Sequence, residues 1–520
     1  MTDEITKGDI EDAGPLTPSE SCGWYMYDFA NSPYYQVYFA ALMPILLKWL
    51  AEAHAGIYEQ HPDMLVPKIN LTKTNELAKV TIPELGITAG SYPSLVTAIT
   101  IFLQTIGLLT FASFGDYGSL RKTLLMILTW VGVFILCLNL ICVNGSFWWV
   151  AGLLRILVGL PFIMCQTYYN AYLPLLAAAH PDNEGLEGEE LATSTEEKDN
   201  DMSARGFIAG YAGGLCMLLI SYLVLTCFSC DRNTPGDCKN QFEFFFWPQL
   251  CVFLVGIWWA GFSLITFRTL QTRPGQPFPE GNVFCLGWKD TCSTLCFITQ
   301  YRNTWLFLLA FFLWSDASNT VVNVAALILD ESGDATIKSI VFSAMLGALA
   351  CGLGVYIFLK VQQCLKCSAK NLLLFILVVY VLACSSALCG LIPAFGGYGY
   401  YLVMAPILLG LGALQSYSRS IFASLIPEGM EAQLFSFFSI TDKGGSFVGT
   451  TIAFLIRHWT GSYVYTFGYV LLSFLVSGCL LASVDVQQGA YEAKHAVELD
   501  EGDNLRRRTV SKRDYSTFIT

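Results

Sequence analysis

The chain has 520 residues, of which 54% are hydrophobic, 14% are aromatic and only 13% are charged, and its formal net charge at pH 7 is −12. Soluble proteins carry about 25% charged residues, so this composition excludes an ordinary soluble protein and indicates an integral membrane protein. The negative charge is concentrated in the chain ends and in one loop, EGLEGEELATSTEEKDND, which argues against nucleic-acid binding.

Apolar runs recur along the whole chain, and a helix needs about 20 such residues to cross the hydrocarbon core of a bilayer. Twelve runs are long enough, and they lie at residues 24–46, 93–114, 122–143, 147–172, 206–228, 247–268, 303–329, 338–359, 371–393, 399–424, 434–456 and 462–484. We therefore predict an all-α membrane protein with twelve transmembrane helices and both termini on the same side. The acidic, polar start of the chain predicts no cleavable signal peptide.

Lysine and arginine residues in the short loops predict the orientation, because loops rich in these residues stay in the cytosol. If the N-terminus is cytosolic, that side receives the RRR of the C-terminal tail together with Arg121, Lys122, Arg268, Arg273, Lys289, Arg302, Lys360, Lys366 and Lys370. The opposite short loops hold Arg232, Lys239, Lys338 and Arg457. Both termini are therefore predicted to be cytosolic.

The segment 47–92 is then luminal or extracellular. It contains the sequon Asn70-Leu71-Thr72, which predicts glycosylation of Asn70. Cys230 and Cys238 share the loop between the fifth and sixth helices on the same side, where a disulfide can form. The sequence leaves open whether these two cysteines are bridged.

After the sixth helix, a segment of some 30 residues that contains QTRPGQPFPEGN is rich in proline and glycine. It predicts a linker between two six-helix lobes related by pseudo-symmetry. The predicted organisation is a cytosolic N-terminal tail at 1–22, an N-terminal lobe at 23–270, a cytosolic linker at 271–302, a C-terminal lobe at 303–485 and a cytosolic C-terminal tail at 486–520.

The first and seventh helices both carry the pattern D-x-x-N-[ST]. At helical spacing, their polar residues share one face of each helix, and they are Asp28, Asn31, Ser32 and Tyr35 in the first and Asp316, Asn319, Thr320 and Asn323 in the seventh. A charged side chain facing lipid costs at least about 2.5–3.5 kcal/mol, so we expect the two stripes to face each other, or a watery substrate cavity between the lobes. The amides and hydroxyls could instead bridge neighbouring helices.

The sequence GWYMYDFANSPYY at residues 23–35 resembles the N-terminal signature of the autophagy-linked vacuole effluxers, a branch of the major facilitator superfamily. Further blocks that resemble this family are YYNAYLP at 168–174, SARGFIAGYAGG at 203–214, GIWWAGFSLITFR at 256–268, FFLWSDASNT at 311–320 and the segment 412–449. The resemblance implies the major facilitator fold and export of amino acids, released by proteolysis, from the vacuole or lysosome to the cytosol. It also implies a vacuolar or lysosomal membrane location.

Two local patterns resemble features of the wider superfamily. The loop GDYGSLRK implies a cytosolic gate formed by Asp116, Arg121 and Lys122, with Asp116 near a helix N-terminus or a basic partner. The sequence RILVG resembles a pattern linked to proton coupling, which implies a coupling role for Arg155, although pairing with a buried carboxylate is an equal alternative. Lys443 is either a charge partner for one of the two aspartates or a side chain that extends to the interface.

An amino-acid zwitterion needs an acceptor for its ammonium group and a donor for its carboxylate. Asp28 and Asp316 would supply the acceptor, and Arg155 or Lys443 the donor. Arg419 lies nearer the cytosolic end and could extend to the interface instead. Burial favours the neutral form of a carboxyl, so one aspartate could carry a proton as the coupling ion. The five histidines are scattered without metal-ligand spacing, so we expect no metal and no organic cofactor.

Other functions compete with transport of amino acids. A carrier of another small solute, or a non-transporting nutrient sensor, fits the same residues. The surroundings of Asp28 and Asp116 faintly resemble an intramembrane aspartyl protease, but Asp116 lies in a basic loop, so we predict no enzymatic activity. The sequence YSTF at Tyr515–Phe518 fits a tyrosine-based sorting signal for an adaptor, which favours a vacuolar or lysosomal address over the plasma membrane.

Overall fold

The computed structural model describes residues 14–55, 58–61, 64–67, 81–82, 84–89, 91–229, 240–273, 275–277, 283–331, 337–389, 397–427, 429–460 and 465–494. Several features singled out in the sequence lie outside these residues, namely Asn70, Cys230, Arg232, Cys238, Lys239, the RRR of the C-terminal tail and Tyr515–Phe518.

α-Helices dominate the described residues. Those of the first half are α1 (Pro18–Pro33), α2 (Met43–His54), α3 (Tyr92–Phe111), α4 (Leu120–Leu138), α5 (Trp148–Asn170), α6 (Leu173–Ala178), α7 (Gly188–Phe228) and α8 (Gln241–Thr269). Those that follow are α9 (Val283–Gln300), α10 (Arg302–Glu331), α11 (Ile337–Leu365), α12 (Ala369–Leu388), α13 (Gly397–Ser424), α14 (Glu431–Thr460), α15 (Thr466–Ser483) and α16 (Val486–Lys494). A π-helix, Tyr34–Leu42, joins α1 to α2, and single 3-10 turns lie at Ala112–Asp116, Asn139–Ile141, Gly145–Phe147 and Pro181–Asn183.

Short strands form two antiparallel hairpins between α2 and α3. They are β1 (Tyr58–His61) with β2 (Met64–Pro67), and β3 (Thr81–Ile82) with β4 (Ile87–Thr88). In the turn of the second hairpin, the Glu84 carboxylate lies 2.9 Å from Nε2 of His54 at the end of α2. This hydrogen bond lowers the pKa of the exposed Glu84 carboxyl.

The long helices fit a bilayer both in length and in the character of their outer surfaces. Within the described residues, nine helical segments are long and apolar enough to cross a membrane. Three further long helical runs, 18–54, α13 and α14, overlap the remaining predicted spans, and the total of twelve stays a prediction. Outward-facing apolar side chains such as Phe102, Phe134 and Leu382 are 64–65% exposed, which suits contact with lipid tails.

The first helix shows how local sequence sets its shape. The Thr17 side chain caps its N-terminus by accepting a hydrogen bond from the Glu20 N–H at 3.2 Å. Pro33 lacks an N–H, so the carbonyl of Phe29 loses its usual helical partner. The indole Nε1 of Trp258 on α8 donates to that carbonyl at 3.1 Å, and the π-helix begins directly after the proline. The Phe29 carbonyl, which the proline leaves without a helical partner, is therefore hydrogen-bonded inside the protein.

The helices pack into two groups, which we call the first lobe (α1–α8) and the second lobe (α10–α15). Loops of both lobes lie on the side of the membrane where α1 begins and α15 ends. We call this side the terminal face. The lobes meet where α7 packs on α11 and α13, and where α14 packs on α5 and on the 3-10 turn after α3.

The described residues 275–277 of the predicted linker lie against the first lobe. Backbone bonds of 2.8 Å join Gln276 N–H to Asp116 O, Gly118 N–H to Gln276 O and Gly275 N–H to Gly118 O. Gly118 adopts a positive φ of 51°, a conformation that glycine accepts readily. The linker therefore adds a short strand-like pairing to the loop between α3 and α4.

Two further contacts fix the linker to the first lobe. The buried Glu20 carboxylate accepts bonds from Arg273 Nε at 3.2 Å and Nη2 at 2.9 Å, a bidentate ion pair. Helix α9, which the sequence did not predict, then packs on the end of α3. There the Thr291 hydroxyl donates to the carbonyl of Leu109 at 2.7 Å.

Candidate functional site

The polar stripe of α1 is buried between helices of both lobes. Asp28 is 4% exposed, and its Oδ2 accepts hydrogen bonds from the Tyr169 hydroxyl at 2.9 Å and from Arg419 Nη1 at 3.3 Å. Asn31 Nδ2 donates to Gln166 Oε1 on α5 at 3.1 Å. The arginine comes from α13, so the aspartate is bonded across the boundary between the lobes.

The other two predicted residues of this stripe have structural contacts. Ser32 packs on α7, where a Cβ at Gly210 would lie only 2.5 Å from the serine hydroxyl. Tyr35 stacks on Phe39 with ring centroids 5.2 Å apart. Because Tyr35 lies in the π-helix, the α-helical spacing that put it on the Asp28 face does not apply there.

The second stripe, on α10, is bonded within its own lobe. Asp316 Oδ1 accepts from the Gly449 N–H of α14 at 2.8 Å, and its Oδ2 accepts from the Tyr469 hydroxyl of α15. A Cβ at Gly449 would lie 1.9 Å from the Thr320 hydroxyl, so α10 and α14 approach very closely. Asn319 Nδ2 donates to a serine one turn earlier on the same helix at 3.4 Å.

The described hydrogen bonds of the two aspartates involve different helices. Asp28 is bonded to α5 and α13, whereas the described partners of Asp316 belong to α14 and α15. The side chains of Asn323 and Lys443 are not among those described, so their predicted roles stay predictions.

Arg155 on α5 is a buried cation in aromatic surroundings. It is 2% exposed, its Nη1 donates to the Tyr34 hydroxyl at 3.3 Å, and its guanidinium lies 3.9 Å from the centroid of the Phe39 ring. A second ring, that of Tyr38, lies 5.5 Å away. No carboxylate of the described residues forms an ion pair with Arg155. Among the described residues, the Tyr34 hydroxyl and two aromatic rings are therefore the partners of this guanidinium.

The predicted gate loop joins the two lobes at the terminal face. Oδ1 and Oδ2 of Asp116 accept the N–H groups of Ala432 at 2.8 Å and Gln433 at 2.9 Å, in the first turn of α14. A carboxylate is favoured at a helix N-terminus because the unpaired N–H groups there carry partial positive charge. Asp116 is 3% exposed, so this contact is shielded from water.

A buried arginine completes this gate. Nη2 of Arg121 lies 3.1 Å from Asp116 and 2.8 Å from Glu431, the first residue of α14, while its Nε donates to the Gly115 carbonyl at 3.0 Å. Asp116 therefore has both partners that the sequence offered as alternatives. Lys122 instead donates to the carbonyl of Leu270 at 2.6 Å, within the first lobe.

Sequence reasoning did not assign Arg419 to the site, because the side chain could have extended to the interface. The side chain is 2% exposed and bonds Asp28, Asn170 and Ser203 of the first lobe. One signal was available, because Arg419 is the only charged residue among the 28 residues of α13. An isolated charge in such a helix calls for a buried partner.

Comparison with known sequences gives one consistent result. Residues 17–494 match the model of a family described as "Vacuole effluxer Atg22 like". Autophagy-related protein 22-1 of Phaeosphaeria nodorum is 27% identical over 546 residues, which cover 93% of each chain. Autophagy-related protein 22-2 of Emericella nidulans is 25% identical over 577 residues, which cover 96% of each chain.

Solved structures similar to this chain share its fold at low sequence identity. A bacterial homologue of the iron transporter ferroportin, in an outward-facing state, has a TM-score of 0.53 at 14% identity and covers 89% of this chain and 98% of its own. The major facilitator superfamily proton:xylose symporter XylE has a TM-score of 0.56 at 10% identity, with coverage of 90% and 96%. These likenesses show a major facilitator fold.

Proposed function

Because the chain belongs to the family of vacuole effluxers like Atg22, we propose that it exports amino acids from the lumen of the vacuole or lysosome to the cytosol. It is a multi-pass membrane transporter of the major facilitator superfamily, not an enzyme. To the family and the fold, the proposal adds the class of solute, the direction of transport, alternating access and coupling to protons.

The buried guanidinium of Arg155 carries the proposal. An arginine held away from water without a carboxylate partner is costly, and such a group is retained where it binds an anion. A guanidinium matches the two oxygens of a carboxylate in geometry. We therefore assign Arg155 to the carboxylate of the solute, with the rings of Tyr34, Tyr38 and Phe39 excluding water from the pair.

Alternating access follows from where the lobes are joined. At the terminal face, Asp116 and Arg121 of the first lobe hold the start of α14, and Arg419 of the second lobe holds Asp28. These contacts close that face, which the distribution of lysine and arginine assigns to the cytosol. Export requires that the lobes rock apart here while the opposite face closes.

Asp316 is the proposed proton carrier. Its described partners, the Gly449 N–H and the Tyr469 hydroxyl, are both neutral, so neither of them fixes the charge of the carboxyl. Asp28, in contrast, is paired with Arg419. A proton taken up from an acidic lumen and released to the cytosol would then drive export.

Flux measurements test this function. Purified protein in proteoliposomes is assayed with a panel of labelled amino acids, with and without a pH gradient. We expect saturable flux that falls about 10- to 150-fold in kcat/KM in Arg155→Gln, since a buried charge-assisted bond contributes about 1.5–3 kcal/mol. Asp316→Asn should abolish the dependence on the pH gradient.

A matched variant separates this effect from simple loss of charge. Arg205 is paired with Asp201 on the exposed part of α7, and its side chain is 59% exposed, so Arg205→Gln should transport normally. Absence of flux for every amino acid, with the protein shown to be folded, would refute the assignment of the solute. Ligand binding without flux would point to a sensor instead.

A further inference from the structure

Arg419 enters a pocket that is built entirely by the first lobe. Its Nη1 donates to Asp28 Oδ2 and to Asn170 Oδ1, each at 3.3 Å. Its Nε and Nη2 donate to the hydroxyl and the backbone carbonyl of Ser203 at 3.0 and 2.8 Å. The oxygens of Asp28, Asn170 and Ser203 therefore converge on one guanidinium, and each of these residues is at least 95% buried.

Aromatic rings form the walls of this pocket. The guanidinium carbon of Arg419 lies 4.3 Å from the ring centroid of Phe207, 5.2 Å from that of Trp24 and 5.7 Å from that of Tyr169. Rings at these distances attract a cation through their negative faces. Gly206 makes room for the group, since a Cβ there would lie 2.9 Å from the guanidinium. The pocket therefore has the chemistry of a cation-binding site.

The cation that fills the pocket belongs to the other lobe, which has a consequence for transport. When the lobes separate at the terminal face, Arg419 moves away with α13, while Asp28 stays with α1. The carboxylate is then left uncompensated among aromatic rings, which is unfavourable. A solute that carries an ammonium or guanidinium group supplies the missing charge.

We propose that the Arg419 pocket binds the ammonium or guanidinium group of the transported solute when the terminal face is open, and that Arg419 expels this group as the face closes. Arg419 thus acts as a tethered competitor of the solute. This deepens the proposed function and rests on it in one respect, namely that the solute is a cation or zwitterion. In the closed form the pocket cannot hold the solute, because Arg419 fills it.

Rescue by free guanidinium tests the site without any transport assay. Arg419→Ala empties the pocket and leaves every acceptor in place. We expect guanidinium chloride at millimolar concentration to raise the melting temperature of the full-length variant saturably, by about 1 °C at ten times Kd. Sodium chloride keeps the ionic strength constant. The wild type, whose pocket is filled, should show no such rise.

The double variant Arg419→Ala with Asp28→Asn is the control, because it keeps the cavity and removes the charge that attracts the cation. It should show no rise. An equal rise in the double variant or in the wild type would overturn the proposal, as would no rise in the single variant. If Arg419→Ala does not fold, Arg419→Ser is measured in the same way. Failure of amino-acid flux with rescue intact would refute only the proposed solute.

Discussion

Replacing Asp116 by asparagine should loosen the closed terminal face by an amount that the structure allows one to work out. The carboxylate accepts the N–H groups of Ala432 and Gln433 and also bonds Arg121. Asparagine has one acceptor oxygen, so one backbone bond is lost and the other becomes a neutral one. Charged bonds contribute about 1.5–3 kcal/mol and neutral bonds about 0.5–1.5 kcal/mol. Relief of the repulsion between Asp116 and Glu431 offsets part of this loss.

We therefore expect a net loss of about 2–3 kcal/mol, which is about a 30- to 150-fold shift between closed and open forms. A protein that is about 99% closed would become about 40–77% closed. This population can be measured from the distance between two spin labels. One label is attached to the exposed Cys364 of α11 and the other to a cysteine replacing Glu187, and the other exposed cysteines are changed to serine.

Asp290→Asn is the matched control for this experiment. Asp290 accepts a bond from the Tyr117 hydroxyl beside the same loop, but this contact does not cross between the lobes. An unchanged distance distribution in Asp116→Asn, or an equal change in Asp290→Asn, would refute the idea that the Asp116 carboxylate holds the lobes together.

Other substitutions have equally definite expectations. Gly449→Ala should destabilise the protein by about 1–3 kcal/mol and lower its melting temperature, because the new Cβ overlaps a threonine hydroxyl, whereas Gly261→Ala, which meets nothing within 4 Å, should not. Glu20→Gln should lower the melting temperature by more than Gly449→Ala, since breaking the buried pair with Arg273 costs about 3–5 kcal/mol. The lowered pKa of Glu84 means that its contribution is present above the usual carboxyl pKa and is lost as pH falls through the lowered value. Glu84→Gln should therefore reduce thermal stability slightly at neutral pH and not at strongly acidic pH.

The membrane architecture could be predicted because hydropathy is a local property of each segment. Each predicted apolar run overlaps a helix of the structure, and the major facilitator fold is confirmed by the solved structures it resembles. The family was also predicted correctly from short blocks such as residues 23–35. Such blocks identify a family because they combine several uncommon residue types at fixed spacing.

The details of the site were harder to predict because they depend on contacts between distant segments. Asp28 and Arg419 are 391 positions apart, and no local pattern around either residue indicates that the two pair. The sequence left two alternatives for Arg155 open, since whether a carboxylate pairs with it depends on packing. The placement of Tyr35 depended on assuming a regular α-helix, and Pro33 was the only local sign that the helix changes there.

The contacts between the linker and the first lobe limit the way in which the two lobes can move. Arg273, Gln276 and Thr291 of α9 are bonded to first-lobe groups, so we expect this part of the linker to move with that lobe. Helix α9 ends at Gln300 and α10 begins at Arg302, which leaves Tyr301 as the junction between the two moving bodies. We therefore expect the covalent connection to act as a short hinge at this junction. A short hinge confines the lobes to rotation about a nearly fixed point, so opening at one face and closing at the other become parts of a single motion.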